Sequence, residues 1–220
     1  MAKKTILTKN QQLLLIEIGK NKALSECFYL GGGTALAEYH LLHRLSEDLD
    51  FFAETEFDPF FISTFLEGIR KKMKITTIDY QQSYNRNLFF ITIGCDVIKT
   101  EFTYYPFPRI EDKIIVNGLH VDSLVDIAVN KVFTIYQRPR SRDFIDLYLI
   151  LKKTKWEMSD LILKAKAKFD YHIDYLQLGT QFTKVNDVED FPKMLVKLQH
   201  SVWQNFFLNE ARKFKNDVLR

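Results

Sequence analysis

Between Tyr29 and Phe52 the chain reads YLGGGTALAEYHLLHRLSEDLDFF. Three glycines, Gly31 to Gly33, stand between an apolar run, CFYL (27–30), and TALAEYHLL (34–42); Asp48 and Asp50 follow, directly before Phe51 and Phe52. A glycine triplet ends a regular element and lets the backbone take conformations closed to other residues. The spacing therefore predicts a short buried strand over 27–30, a glycine turn, a helix over 34–42 with Thr34 as its N-cap, and a second strand over 48–52. Glycines at a strand-to-helix turn also admit an anion close to the backbone, where free N–H groups and the positive end of the helix dipole face it. The stretch is not a P-loop, because no Gly-Lys-Ser/Thr follows, nor a dinucleotide fingerprint, because the G-x-G-x-x-G spacing is absent.

On a strand, side chains at i and i+2 share a face, so Asp48 and Asp50 point one way and Leu49 and Phe51 the other, into a core. Two carboxylates on one strand face repel each other and resist desolvation. Either the strand begins at the surface, with Glu47 and Asp48 solvated, or a divalent cation removes the conflict. Mg²⁺ is oxygen-seeking and is usually held by one or two carboxylates plus substrate phosphates. The helix over 34–42 returns the chain to the acidic strand, which sets a phosphate cradle beside a metal pair, the arrangement a nucleotidyl transferase needs. A third carboxylate is available in DVIKTEFTYY (96–105), where Glu101 shares a face with Lys99 and Thr103; an exposed strand face is the alternative.

The remaining pattern divides the chain. A helix is predicted over 9–25, with Glu17 interrupting the apolar patch and arguing against a signal peptide, and another over 58–73, with Pro59 in its first turn and Phe61, Phe65 and Ile69 in step. Strands are predicted over 74–80, 87–94 and 96–105, and Asn117-Gly118 marks a type I′ hairpin within 113–121. From Asp122 the pattern is helical over 122–137, 142–153, 158–169 and 191–216. The expected architecture is α+β: a core over 1–121 with a mixed or antiparallel sheet, followed by a helical part over 122–220.

In the first of the later helices Lys131 falls on the apolar stripe of Leu124, Ile127, Ala128 and Ile135, so it either snorkels out or points at something anionic. Ser141 is placed to cap the next helix, whose core stripe is Phe144, Leu147, Tyr148 and Leu151; Asp143 and Asp146 flank it one turn apart. His40 and His43 lack a third ligand at useful spacing, and Cys27 and Cys95 form no C-x-x-C, which suits a reduced, cytoplasmic protein. No apolar run is long enough to span a bilayer. The net charge of +3 is small, but Arg138, Arg140, Arg142, Lys152, Lys153, Lys155, Lys164, Lys166 and Lys168, with Arg212, Lys213, Lys215 and Arg220, make the C-terminal half basic. That distribution suits either solvated helix faces or attraction to a polyanion.

The segments LGGGTALAEYHLLHRLSEDLDFF, VIKTEF and LVDIAVNKVFTIYQRPRSRDFIDLYLIL, in that order, resemble the AbiEii/AbiGii-type nucleotidyltransferase toxins, relatives of the MenT toxins, over roughly residues 27–151. The resemblance implies a DNA polymerase β-like nucleotidyltransferase core with a helical C-terminal part completing the active-site cleft. It matches Gly32, Gly33, Thr34 and Ser46 to the nucleotide-binding motif, Asp48 and Asp50 to the metal pair, Lys131 to the lysine of the third motif, and Asp143 and Asp146 to the acids of the last. Glu101 occupies the slot of a third metal carboxylate. It further implies Mg²⁺ or Mn²⁺ as cofactor, an NTP as substrate, an RNA acceptor such as tRNA, and a cognate antitoxin encoded nearby. Two alternatives keep the same fold: a non-catalytic nucleotide- or RNA-binding module, and a kinase-like phosphotransferase.

Overall fold

The structure, a computed structural model, describes residues 4–218. Arg220 and the side chain of Lys215 lie outside the described part. The chain divides into two compact units. The first runs to Pro108 and takes in Asp112–Ser123; the second combines Arg109–Glu111 with the chain from Leu124 onward.

The first unit opens with α1 (Lys9–Lys20). Thr8 and Gln11 form a reciprocal capping box, which satisfies two otherwise orphaned N–H groups. The single helix expected over 9–25 is in fact two, because Asn21 leaves the helical region (φ −83°, ψ 102°) and its side chain accepts from Leu24 N to start α2 (Lys22–Cys27). The first strand is correspondingly short: β1 covers only Tyr29–Leu30.

After Gly31 the chain forms α3 (Gly32–Ala35), which widens into a π-helical turn over Leu36–Leu41 and ends at Leu42 with φ 53°. Thr34 does not cap it; Gly31 holds the N-cap position and the Thr34 hydroxyl is used elsewhere. β2 (Leu49–Ala53) alternates buried and half-buried residues, as two-residue periodicity requires. α4 (Pro59–Met73) is capped by Asp58, but its buried stripe is Ile62, Leu66, Ile69 and Met73, while Phe61 and Phe65 are only half-buried.

β3 (Ile75–Ser83), β4 (Arg86–Ile93) and β5 (Asp96–Tyr104) follow as an antiparallel meander. β6 (Ile114–Val116) and β7 (Leu119–Val121) form a hairpin whose turn residues, Asn117 (φ 51°) and Gly118 (φ 81°), both have the positive φ of a type I′ turn. The described strands make one mixed sheet in the order β3-β4-β5-β2-β1-β7-β6, with β2–β5 and β1–β7 parallel and the other pairs antiparallel.

One face of this sheet is core. Leu49, Phe51, Phe89, Ile91, Ile98 and Phe102 are buried there, with Phe51 stacked on Phe102 at 4.8 Å between ring centroids. Phe28 meets Phe102 edge to face at 5.0 Å. Burying each such ring contributes roughly 1.5–3 kcal/mol, which fixes the register of β2 against β5. A slip of one residue would send Phe51 to the other face and bury Asp50.

The second unit is helical: α5 (Leu124–Gln137), α6 (Ser141–Thr154), α7 (Met158–Phe169), α8 (Tyr175–Thr183) and α9 (His200–Val218). Trp203, Phe144, Phe182 and Phe207 form its aromatic centre, with Phe144 and Phe207 4.8 Å apart. α9 starts later than the expected 191–216. The segment before it is irregular, and Pro192 biases Phe191 away from helical ψ. Ser141 is not a side-chain cap: its N–H and hydroxyl go to the Asp190 carboxylate and carbonyl, at 2.8 and 2.5 Å.

Candidate active site

The glycine turn and the acidic strand are stitched together by two bonds. Gly31 N donates to the Asp50 carbonyl at 2.8 Å, and Thr34 Oγ1 donates to the Asp48 carbonyl at 2.5 Å. Behind them, Gln11 Nε2 donates to the Glu47 carbonyl at 2.7 Å and anchors the approach to β2 from α1. Gly32 has φ +64°, and a Cβ there would fall 2.7 Å from Asp50 Oδ2. A Cβ on Gly33 would fall 2.5 Å from Arg44 Nη2 and 3.0 Å from Ser46 Oγ. Gly32, Gly33, Thr34, Ser46, Asp48 and Asp50 therefore come together in one place, with the backbone of the turn lying against the Asp50 carboxylate.

Glu101 is drawn in by register. β2 and β5 pair in parallel with Asp50 directly opposite Glu101. Three carboxylates thus share one sheet region, and Asp48 and Glu101 each meet a basic side chain. Arg86, at the start of β4, makes a fork to Glu101, Nε to Oε1 and Nη2 to Oε2, both at 2.6 Å. Thr103 Oγ1 adds a bond to Glu101 Oε1 at 3.0 Å, and Lys99 Nζ meets Asp48 Oδ2 at 2.6 Å.

Burial pushes the Glu101 carboxyl up, but the hydrogen bonds from Arg86 and Thr103 outweigh it and hold Glu101 below the usual carboxylate range. Arg86 is pushed up, first by its bonds to Glu101 and then by the charges of Asp50 and Asp48, which shows how tightly the cluster is coupled. The Arg86 side chain is 54% exposed, so water screens the pair and its contribution to stability is at most about 1 kcal/mol.

Among the described residues no three His, Cys, Asp or Glu side chains stand ready as a metal set. Glu101 is committed to Arg86 and Asp48 to Lys99. The donor chemistry still suits a hard divalent cation: Asp48 and Asp50 offer carboxylate oxygens from one half-exposed strand face, and Asp48 is 42% exposed.

In the second unit Lys131 does not snorkel. Its ammonium lies 2.5 Å from Asp143 Oδ1 and 2.8 Å from Asp146 Oδ2, with side-chain exposures of only 10%, 6% and 0%. The three residues form one buried charged cluster between α5 and α6. The nearby basic segment is less uniform than its composition implies. Arg138, Arg142, Lys152, Lys153, Lys155 and Lys164 are exposed, whereas Lys168 is fully buried against Asp126 at 2.7 Å. Asp126 also accepts from the backbone N–H groups of Ile110 and Glu111, at 2.9 and 3.1 Å, which ties the 109–111 segment into the helical unit.

The histidines are structural: His40 Nε2 is 3.0 Å from the Asp122 carbonyl, and His43 is buried. Sequence reasoning missed three basic residues. Arg44, between His43 and Leu45, is 3% exposed and reaches Gly33; its position inside the quoted motif was its only signal. Lys99 had a signal, its shared face with Glu101. Arg86 had none, because its role depends on strand pairing.

Comparison with known proteins bears on the family and the fold. The family model for the nucleotidyl transferase AbiEii toxin, type IV TA system, matches residues 18–212. The uncharacterized protein aq_aa25 of Aquifex aeolicus (strain VF5) is 32% identical over 165 residues, 73% of this chain and 75% of its own length. Among solved structures, JHP933 from Helicobacter pylori superposes with a TM-score of 0.63 at 17% identity, covering 95% of this chain and 90% of its own. A second H. pylori chain, described as a candidate nucleotidyltransferase, gives 0.62 at 18% identity over 97% of this chain and 99% of its own. The fold is the polymerase β-like nucleotidyltransferase fold. The chain belongs to the nucleotidyl transferase AbiEii toxin family, and its class of activity is nucleotidyl transfer.

Proposed function

We propose that the protein is a divalent-metal-dependent toxin that transfers a nucleotide from an NTP to a hydroxyl of an RNA, tRNA being the favoured acceptor. The observation that carries this reading is the contact of the glycine turn with Asp50: Gly32, at positive φ, lets the backbone of the turn lie against the carboxylate face. A phosphate cradled by the turn would then sit beside the acids.

In the reaction an acceptor hydroxyl oxygen bonds to the α-phosphorus, the bond to the β-phosphate breaks with its electron pair, pyrophosphate leaves, and the hydroxyl proton passes to a base. Asp48 and Asp50, with Glu101 as the further acid of the cluster, would hold Mg²⁺ or Mn²⁺, which would supply charge neutralisation. The protein's own contribution is positioning and electrostatics, as for phosphoryl transfer in general. Gly32 and Gly33 give close backbone approach, Thr34 locks the turn to the strand, and Ser46 offers a hydroxyl beside Gly33. In the second unit the buried Lys131 ammonium is held by the carboxylates of Asp143 and Asp146.

The exposed arginines and lysines of 137–168 support an RNA acceptor, since phosphate contacts from such residues supply affinity without reading sequence. No helix among the described residues is long and apolar enough to cross a membrane, and an NTP and an RNA acceptor would both be met in the cytoplasm. A cognate antitoxin would restrain it. Incubation with each α-labelled NTP, Mg²⁺ and total RNA tests the acceptor: label in RNase-sensitive, proteinase-resistant material is expected. Label confined to protein would refute an RNA acceptor.

A further inference from the structure

Lys99 has no part in the reaction as written, yet it covers one of the two aspartates that the metal reading requires. Its ammonium sits 2.6 Å from Asp48 Oδ2, and the two side chains are 31% and 42% exposed. We propose that Lys99 is an exchangeable counter-ion of Asp48. It holds the carboxylate when no divalent cation is present, gives it up when the cation arrives, and then turns its charge toward the anionic leaving group. The inference rests on the assignment of Asp48 and Asp50 to the metal.

The two basic partners of the cluster differ in a way that selects Lys99. Arg86 grips Glu101 through two parallel bonds, and Thr103 adds a third. A planar fork of this kind is geometrically fixed and hard to displace. Lys99 holds Asp48 by one bond from a compact ammonium on a flexible four-carbon stem. Asp48 lies one residue before β2 begins, so its side chain is less constrained than that of Asp50 within the strand. Of these two latches the weaker is on a carboxylate of the D-x-D pair, where an incoming cation would meet it.

Charge favours the same exchange. Asp48 and Lys99 together carry no net charge, and a divalent cation on Asp48 would add two positive charges beside the ammonium. Those charges would weaken the hold of Asp48 on Lys99 and favour a triphosphate nearby. On this account Lys99 is a positioning residue. It prevents the acids from repelling one another in the empty site and lowers metal affinity until substrate can share the charge.

The test is Mn²⁺ binding followed by electron paramagnetic resonance on the full chain, beside transfer from α-labelled NTP. An opposite charge near a carboxylate competes with any other cation for it, and for partly exposed groups the effect is modest. Lys99→Met is therefore expected to bind Mn²⁺ about threefold to tenfold more tightly, while transferring nucleotide more slowly at saturating metal. Lys99→Arg should bind Mn²⁺ no more tightly than wild type does, and Asp48→Asn should lose most of the binding. Lys99→Gln serves if Lys99→Met melts early. Mn²⁺ binding that depends on Asp48 but is no tighter in either neutral Lys99 variant would overturn the exchange alone. Mn²⁺ binding indifferent to Asp48→Asn would remove the metal assignment, and the exchange with it.

Discussion

Gly32→Ala is expected to lower nucleotidyl transfer by about 10²-fold while costing only about 1–2 kcal/mol of stability. The two effects have different origins. The stability loss comes from the backbone, because φ +64° is a left-handed conformation that a Cβ disfavours. The activity loss comes from the added methyl, which would lie 2.7 Å from Asp50 Oδ2 and must push that carboxylate aside. The end of an aspartate moves cheaply in folding terms, but a displacement near 1 Å at a reacting centre costs about two orders of magnitude. Gly94→Ala separates the two. Gly94, in the turn between β4 and β5, has nearly the same φ, +61°, and open space around its Cβ position. It should lose comparable stability and keep full activity. Urea unfolding and a transfer assay on both variants decide the matter, and equal activities would remove the glycine turn from the site.

Lys168→Met is expected to destabilise the helical unit by about 3–5 kcal/mol, the range seen when one partner of a buried ion pair is removed. Both side chains of the pair are fully buried, at 2.7 Å. Without the ammonium, Asp126 must keep a negative charge against two backbone N–H donors, those of Ile110 and Glu111, or take up a proton. The double variant Lys168→Met with Asp126→Asn should recover part of the loss, since an asparagine carries no charge and its one oxygen still accepts from one of the two backbone N–H groups. Thermal unfolding of the two variants measures this. A loss below about 1 kcal/mol in Lys168→Met, the level of a surface pair, would show that the pair is not buried in solution.

What could be read from the sequence was what is local. The Gly31–Thr34 turn and the Asp48-x-Asp50 strand are separated by a single helical segment and joined through β1 and β2, so their proximity follows from short-range pattern. The Asn117-Gly118 hairpin and α4 were legible for the same reason. The partners of the acids were not. Lys99 and Arg86 reach Asp48 and Glu101 through the register of β4, β5 and β2, which is set by packing on the opposite face of the sheet. The π-helical turn was also invisible. It closes with Leu42 N donating to the Ala37 carbonyl, and no spacing of apolar residues distinguishes it from an α-helix here. Lys168 is a different case. It falls at i+7 from Leu161 and i+3 from Ala165, both buried, so it carried the same signal that singled out Lys131. A lysine on an apolar stripe marks a buried carboxylate partner in both helices of this protein.

On our proposal the glycine turn and the aspartate pair act as one nucleotidyl-transfer site. Parallel reactions with α- and γ-labelled NTP, using wild type and Asp50→Asn in the presence of Mg²⁺ and RNA, address it most directly. Label is expected to be transferred only from the α position, with pyrophosphate released, and Asp50→Asn, with an unchanged melting temperature, is expected to reduce transfer by about 10³-fold or more, roughly 4 kcal/mol of transition-state stabilisation. Transfer of the γ-label, or wild-type rates in Asp50→Asn, would contradict it.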